Sequence, residues 1–182
     1  MPNNLLLIGR PGVGKTTLLQ RVLAELPGLR LAGFTTAEIR GPRGRLGFRA
    51  AALGGPEIVL AHVNLLTARR TPHRVGAYGV DVAAFEREIV PLLDVRRCEV
   101  DLFVVDEIGK MECFSQTFVG AVEQLLADPR PLLGTIALRG PAFIATVRGR
   151  PDVVLLEVTR DNRDALVEEI VARVPGWLGD NL

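Results

Sequence analysis

Asn3-Asn4-Leu5-Leu6-Leu7-Ile8-Gly9-Arg10-Pro11-Gly12-Val13-Gly14-Lys15-Thr16-Thr17-Leu18-Leu19 is the stretch on which the fold turns. Residues 3–8 form an apolar run that reads as a short buried strand. It stops at a glycine-rich turn, after which residues 16–26 carry Leu18, Leu19, Val22, Leu23 and Leu26 at helical spacing. Between strand and helix, residues 9–16 match G-x-x-x-x-G-K-[ST] at every fixed position. Gly9, Gly12 and Gly14 allow successive backbone N–H groups to aim at phosphate oxygens, and the helix N-terminus adds a favourable dipole. A triphosphate suits that cradle. Lys15 brings a compact charge for the β and γ oxygens, the Thr16 hydroxyl is placed for Mg²⁺, and Thr17 for the α-phosphate.

A second motif lies near the middle of the chain: Leu102-Phe103-Val104-Val105-Asp106-Glu107-Ile108-Gly109-Lys110-Met111-Glu112. The apolar run before the acids is what a strand buried on both faces of a parallel sheet requires. Carboxylates at the tip of such a strand are costly unless a cation uses them, and the Mg²⁺ of a bound triphosphate is the natural partner for Asp106. If the strand ends there, Glu107 can turn into the crevice and orient or deprotonate an attacking water, which favours hydrolysis over transfer. Thr135, near the end of the next strand, is placed to sense the γ-phosphate or fix the water; it is equally an ordinary strand threonine.

Of the 22 basic residues only Lys15 and Lys110 are lysine. Lysine is chemically required at position 15, and a compact ammonium at position 110 can approach a γ-phosphate or a carboxylate where a guanidinium does not fit. Lys110 is therefore expected to neutralise charge during hydrolysis or to hold Glu107; otherwise it is an exposed lysine paired with Glu107 or Glu112.

Around the two motifs, extended segments are expected over 29–39 and 45–53, joined by Gly41-Pro42-Arg43-Gly44 as a hairpin, with 57–63 following as a meander. Arg69, Arg70, His73 and Arg74 read as a solvated loop or the lining of a phosphate site. Helices are expected over 82–93, 114–127, 142–147 and 162–174, and further strands over 132–137 and 153–158. Strands alternating with helices give an α/β fold, a mostly parallel sheet covered on both sides, with ligands at the carboxyl ends of the strands. The base should then meet the loop after the last strand, where Asp161, Asn162 and Arg163 sit, unless Thr159 or Asp161 only caps the final helix.

With 182 residues and 48% hydrophobic content, the chain has enough apolar surface for one core, and a single domain over 1–182 is expected. A net charge of +1 gives no field that would draw it to nucleic acid or an anionic membrane. The hairpin gathers Arg40, Arg43, Arg45 and Arg49, either as a solvated face or as a nucleic-acid contact. The run at 5–8 is too short to span a bilayer or serve as a signal-peptide core, so a cytoplasmic location is expected. Cys98 and Cys113 show no metal-site spacing and read as buried free thiols.

Gly33-Phe34-Thr35-Thr36-Ala37-Glu38-Ile39-Arg40, Arg45-Leu46-Gly47-Phe48-Arg49, Tyr78-Gly79-Val80-Asp81, 106–112 and Thr159-Arg160-Asp161-Asn162-Arg163-Asp164 together resemble the cancer-related nucleoside-triphosphatase family over nearly the whole chain. The resemblance implies a RecA-like arrangement in which another strand separates the two motif-bearing strands. It also implies a slow hydrolase accepting ATP, GTP, CTP and UTP, and nucleotide contacts at 9–16 and at Leu102, Phe103, Val104, Val105, Asp106, Glu107, Ile108 and Gly109. Arg139 stands three residues beyond the threonine-bearing strand, where the family often has a basic residue. A monomer is expected. Two alternatives stay open: a nucleotide or nucleoside kinase with the arginines of 139–150 as a lid, and a nucleotide-gated module binding RNA or DNA.

Overall fold

A computed structural model describes residues 3–67 and 70–178. The elements run β1 Asn4–Ile8, α1 Lys15–Ala24, β2 Leu31–Gly41, β3 Gly44–Ala52, β4 Glu57–His62, α2 Val63–Thr67, β5 Arg74–Val75, β6 Tyr78–Val80 and α3 Val82–Glu88. They continue with β7 Leu102–Ile108, α4 Gln116–Ala127, β8 Leu132–Ile136, α5 Ala142–Arg148, β9 Val153–Glu157 and α6 Ala165–Leu178. The nine strands form one sheet in the order β5-β6-β4-β3-β2-β7-β8-β1-β9. β8 therefore separates β1 from β7, the strands that carry the two motifs.

The sheet changes character at β2. Leu31 to Phe34 pair in parallel with Leu102 to Val105 of β7, while Phe34 to Gly41 pair antiparallel with β3. On the parallel side, alternation along the strands feeds two cores. Leu5 and Leu7 of β1 and Leu102 and Val104 of β7 face the helices α1 and α6, through Leu18, Leu19, Leu166 and Ile170. Leu6, Ile8, Phe103 and Val105 face the other way, toward α3, α4 and α5, through Phe85, Phe118 and Ile144. Both faces are covered, which is why these strands read as unbroken apolar runs. Phe34, Phe85 and Phe118 pack edge-on or tilted with centroids 5.4–6.2 Å apart, tying β2 to α3 and α4.

Several expected boundaries moved. The segment 82–93 is not one helix: α3 ends at Glu88 and a 3-10 turn covers Val90–Leu93, because Pro91 has no N–H to continue the α ladder. α4 starts two residues late, at Gln116, where the Ser115 hydroxyl accepts the Phe118 N–H at 2.9 Å and caps it. The last helix runs from Ala165 to Leu178 instead of 162–174, since Asn162 is engaged in the preceding turn. Part of the basic stretch is not loop: Arg74–Val75 pairs with Tyr78–Val80 as a small hairpin. Arg69 lies outside the described residues. Cys113 is buried and Cys98 only half-buried; burial and Glu112 push the Cys113 thiol up to about 12, which keeps it inert.

Candidate active site

The chain leaves β1 at Ile8 and enters α1 at Lys15 through the phosphate loop. Gly14 takes φ 106°, a left-handed conformation that a side chain would strain, and it leads the first turn of α1 without a capping side chain. The first amide groups of the helix are thus left to a ligand. Lys15 folds over the loop, its Nζ donating to the Gly9 carbonyl at 3.2 Å and standing 3.6 Å from Glu107 Oε1.

Asp106 is the centre of the site. It is fully buried, and three threonines from three elements donate to it. Its Oδ1 accepts from the hydroxyls of Thr16 at 3.2 Å and Thr135 at 2.8 Å. Its Oδ2 accepts from the backbone N–H of Thr36 at 3.2 Å and the Thr36 hydroxyl at 3.1 Å. Burial raises the Asp106 carboxyl above its ordinary range, and the hydrogen bonds from Thr135, Thr36 and Thr16 oppose the rise. No basic side chain pairs with it among the described residues. Glu107 is raised by burial and by Asp106, against the pull of Lys15.

Two expectations about this segment are corrected. β7 does not end at Asp106. It runs on to Ile108 with a register shift against β8 between Val105 and Ile108, and the Asp106–Glu107 peptide is cis. The irregularity of the ladder, not the end of the strand, accompanies the turning of adjacent carboxyl groups toward one crevice. Lys110 does not hold Glu107. It is exposed, its stem beside Gly140, and among the described residues it makes no ion pair with Glu107 or Glu112; Lys15 is the cation on Glu107. Glu112, the other acid offered as its partner, is buried, 5% exposed.

The loop after β9, where the base is expected, is tied by hydrogen bonds of its own. Asn162 is spent on its own turn: its Oδ1 accepts the Thr159 N–H at 2.8 Å and its Nδ2 donates to the Glu157 carbonyl at 2.8 Å. Arg163 reaches the phosphate loop, Nη1 donating to the Val13 carbonyl at 3.5 Å. With Gly14, Thr17, Leu18, Arg21 and Asp164 it lines a recess of about 140 Å³. A larger hollow of about 400 Å³ beside Asn3, Asp128 and Trp177 lies at the opposite, amino ends of the strands. Arg139 is exposed in the loop after β8. In the hairpin, Arg40 and Arg45 share Glu38, and Arg49 pairs with Glu57 of β4, so about half of its arginine charge is matched by carboxylates.

Nothing in the sequence marks Thr36 or Glu112 as a site residue. The Gly33-to-Arg40 string contains Thr36, but only the register of β2 on β7 brings it to Asp106.

A phosphate loop between β1 and α1, facing an acid-bearing strand one strand away at the carboxyl edge, defines a P-loop NTPase fold. The family model described as NTPase matches residues 4–171, and the chain belongs to that family. It is 38% identical to the nucleoside-triphosphatase THEP1 of Thermotoga maritima, covering 92% of this chain and 93% of that one. It is also 38% identical to the cancer-related nucleoside-triphosphatase of Homo sapiens, over 96% of this chain and 97% of the relative. The crystal structure of THEP1 from Aquifex aeolicus superposes with a TM-score of 0.81 at 34% identity, covering 94% of this chain and 98% of that one.

Proposed function

We propose that this chain, as a single P-loop domain, hydrolyses the γ-phosphate of ATP, GTP, CTP and UTP with Mg²⁺, slowly and with little regard for the base. The observation that carries the reading is the buried Asp106 carboxyl, held by Thr16, Thr36 and Thr135 beside Glu107, with no basic side chain on it among the described residues. The donor set fits Mg²⁺: Thr16 Oγ1 and Asp106 Oδ1 are hard oxygens 3.2 Å apart at the mouth of the phosphate loop. Thr16 and Asp106 would hold the ion, which supplies positive charge to the β and γ oxygens. Lys15 and the loop amides bind the triphosphate. Glu107 positions and deprotonates the attacking water, and its raised carboxyl pKa brings it closer to the working pH of a general base. Weak base selection follows from Asn162 having its amide committed to the backbone, which leaves Arg163 and the 140 Å³ recess as the surroundings of the base. The apolar core and matched surface charge suit a cytoplasmic monomer.

Phosphate release measured for each NTP, with and without Mg²⁺, tests this directly. Comparable turnover of the four and loss on chelation are expected, and a hundredfold preference for one base would contradict it. Glu107→Gln should bind a non-hydrolysable analogue normally and turn over roughly 10²-fold or more slowly.

A further inference from the structure

Glu112 has no part in the chemistry described so far, yet it is buried in the wall of the same crevice. After Gly109 the chain tightens: the Cys113 N–H donates to the Gly109 carbonyl at 3.1 Å, and a 3-10 turn covers Glu112–Phe114. That turn folds Glu112 back beneath the end of β7. A Cβ added at Gly109 would stand 2.7 Å from Glu112 Oε2 and 3.3 Å from Glu107 Oε2. The two carboxyl groups therefore share the space a side chain at position 109 would fill, and this explains the glycine. Among the described residues no basic side chain draws on the Glu112 carboxyl, which accepts from the backbone N–H groups of Gly109 and of Glu112 itself.

The two oxygens of Glu107 thus have different company. Oε1 faces the Lys15 ammonium at 3.6 Å, and Oε2 faces the Gly109 surface where Glu112 sits. A bound triphosphate competes for Lys15, because the phosphate-loop lysine is drawn to the β and γ oxygens. Glu107 then loses the hold on Oε1 at the moment it must align water. We propose that Glu112 is a positioning residue, whose carboxylic acid holds the Oε2 side of Glu107 in the crevice when nucleotide takes Lys15 away. The inference rests on Glu107 being the water-directing carboxylate. Burial, together with the charge of Glu107 across the Gly109 surface, pushes Glu112 up to about 8, leaving it a hydrogen-bond donor at neutral pH.

Single-turnover and steady-state phosphate release on Glu112→Leu and Glu112→Gln test it, with analogue binding and thermal unfolding measured on the same proteins. Glu112→Leu removes the donor and fills the space with an apolar group, and the thermal unfolding reads what the loss of the acceptor for the Gly109 N–H costs the fold. Its kcat should fall roughly 10- to 100-fold, the scale of an ångström-level misplacement, with analogue affinity within about threefold of wild type. Glu112→Gln retains an N–H donor and should keep at least about half of kcat. In a Glu107→Gln background, Glu112→Leu should cost nothing further, because residues acting through one another are not additive.

Wild-type kcat in Glu112→Leu overturns the inference. So does an equal kcat loss in Glu112→Gln, or a loss matched by a fall in analogue affinity. Should Glu112→Leu fail to fold, Glu112→Met, which also lacks the donor, is measured in its place against the same criteria. If Glu107→Gln is itself fully active, the reading of Glu107 falls; if Glu107→Gln is impaired while Glu112→Leu is not, only the role of Glu112 falls.

Discussion

Glu112→Gln should change how stability depends on pH, by an amount the structure sets. The carboxyl titrates at about 8 in the folded chain against an ordinary 4.5. Between those two values the native state holds a proton that the unfolded state has lost. Stability therefore falls as pH rises, by about 1.36 kcal/mol per pH unit for one such group. Below the unfolded value the group costs nothing through this linkage, and above about 8 its cost is complete. From about pH 5.5 to about pH 7.5 the wild type should lose between roughly 2 and 3 kcal/mol that the glutamine variant keeps. For a chain of this length that is a melting-point gap widening by roughly 4 to 12 °C. Asp106 and Glu107 are raised too and slope the same way, but they remain in both proteins and largely cancel in the difference. Urea unfolding of nucleotide-free, metal-free protein at several pH values is the assay, since ligand binding would add its own linkage. Parallel stability curves for the two proteins would refute the claim that Glu112 is a buried, protonated acid.

Lys15→Ala should lose triphosphate binding, because the backbone cradle survives without the charge over the β and γ oxygens; calorimetry with a non-hydrolysable analogue checks it, and unchanged affinity would move the site elsewhere. Thr36→Val leaves the backbone N–H on Asp106 but removes the hydroxyl at 3.1 Å, and should cost roughly 1.5 to 3 kcal/mol in urea unfolding, the worth of a hydrogen bond to a charged group. Lys110→Ala and Lys110→Arg should turn over ATP within about twofold of wild type, as an exposed lysine without a carboxylate partner implies. A loss of tens of fold in both would return Lys110 to the chemistry, as its lysine identity first suggested.

What could be read from residues alone was chemistry that is local in the chain. The phosphate loop needs its glycines, lysine and threonine within eight positions, and the β7 acids follow directly on their apolar strand. Pro91 was visible and should have cut the 82–93 helix. Thr36 and Glu112 stand on the far side of that boundary. Thr36 meets Asp106 across 70 residues of chain, by a strand register that no spacing encodes. No spacing in the sequence marks Glu112 as buried; only the tight turn after Gly109 takes it inside. Asn162 and Lys110 are the reverse case: polar residues near a motif invite a role, whereas Asn162 bonds its own turn and Lys110 stands in solvent.

β2 belongs to two ladders, and Thr36 sits just past the point where it passes from one to the other. The outer hairpin is consequently not a cassette that evolution or an engineer can exchange at its base. A graft that began at residue 35 would carry away a threonine that holds Asp106, whereas one beginning after Glu38 would leave that contact in place. Divergence among relatives should be freest beyond that point, and a lengthened or shortened hairpin tip should leave the site's chemistry intact so long as Thr36 keeps its register.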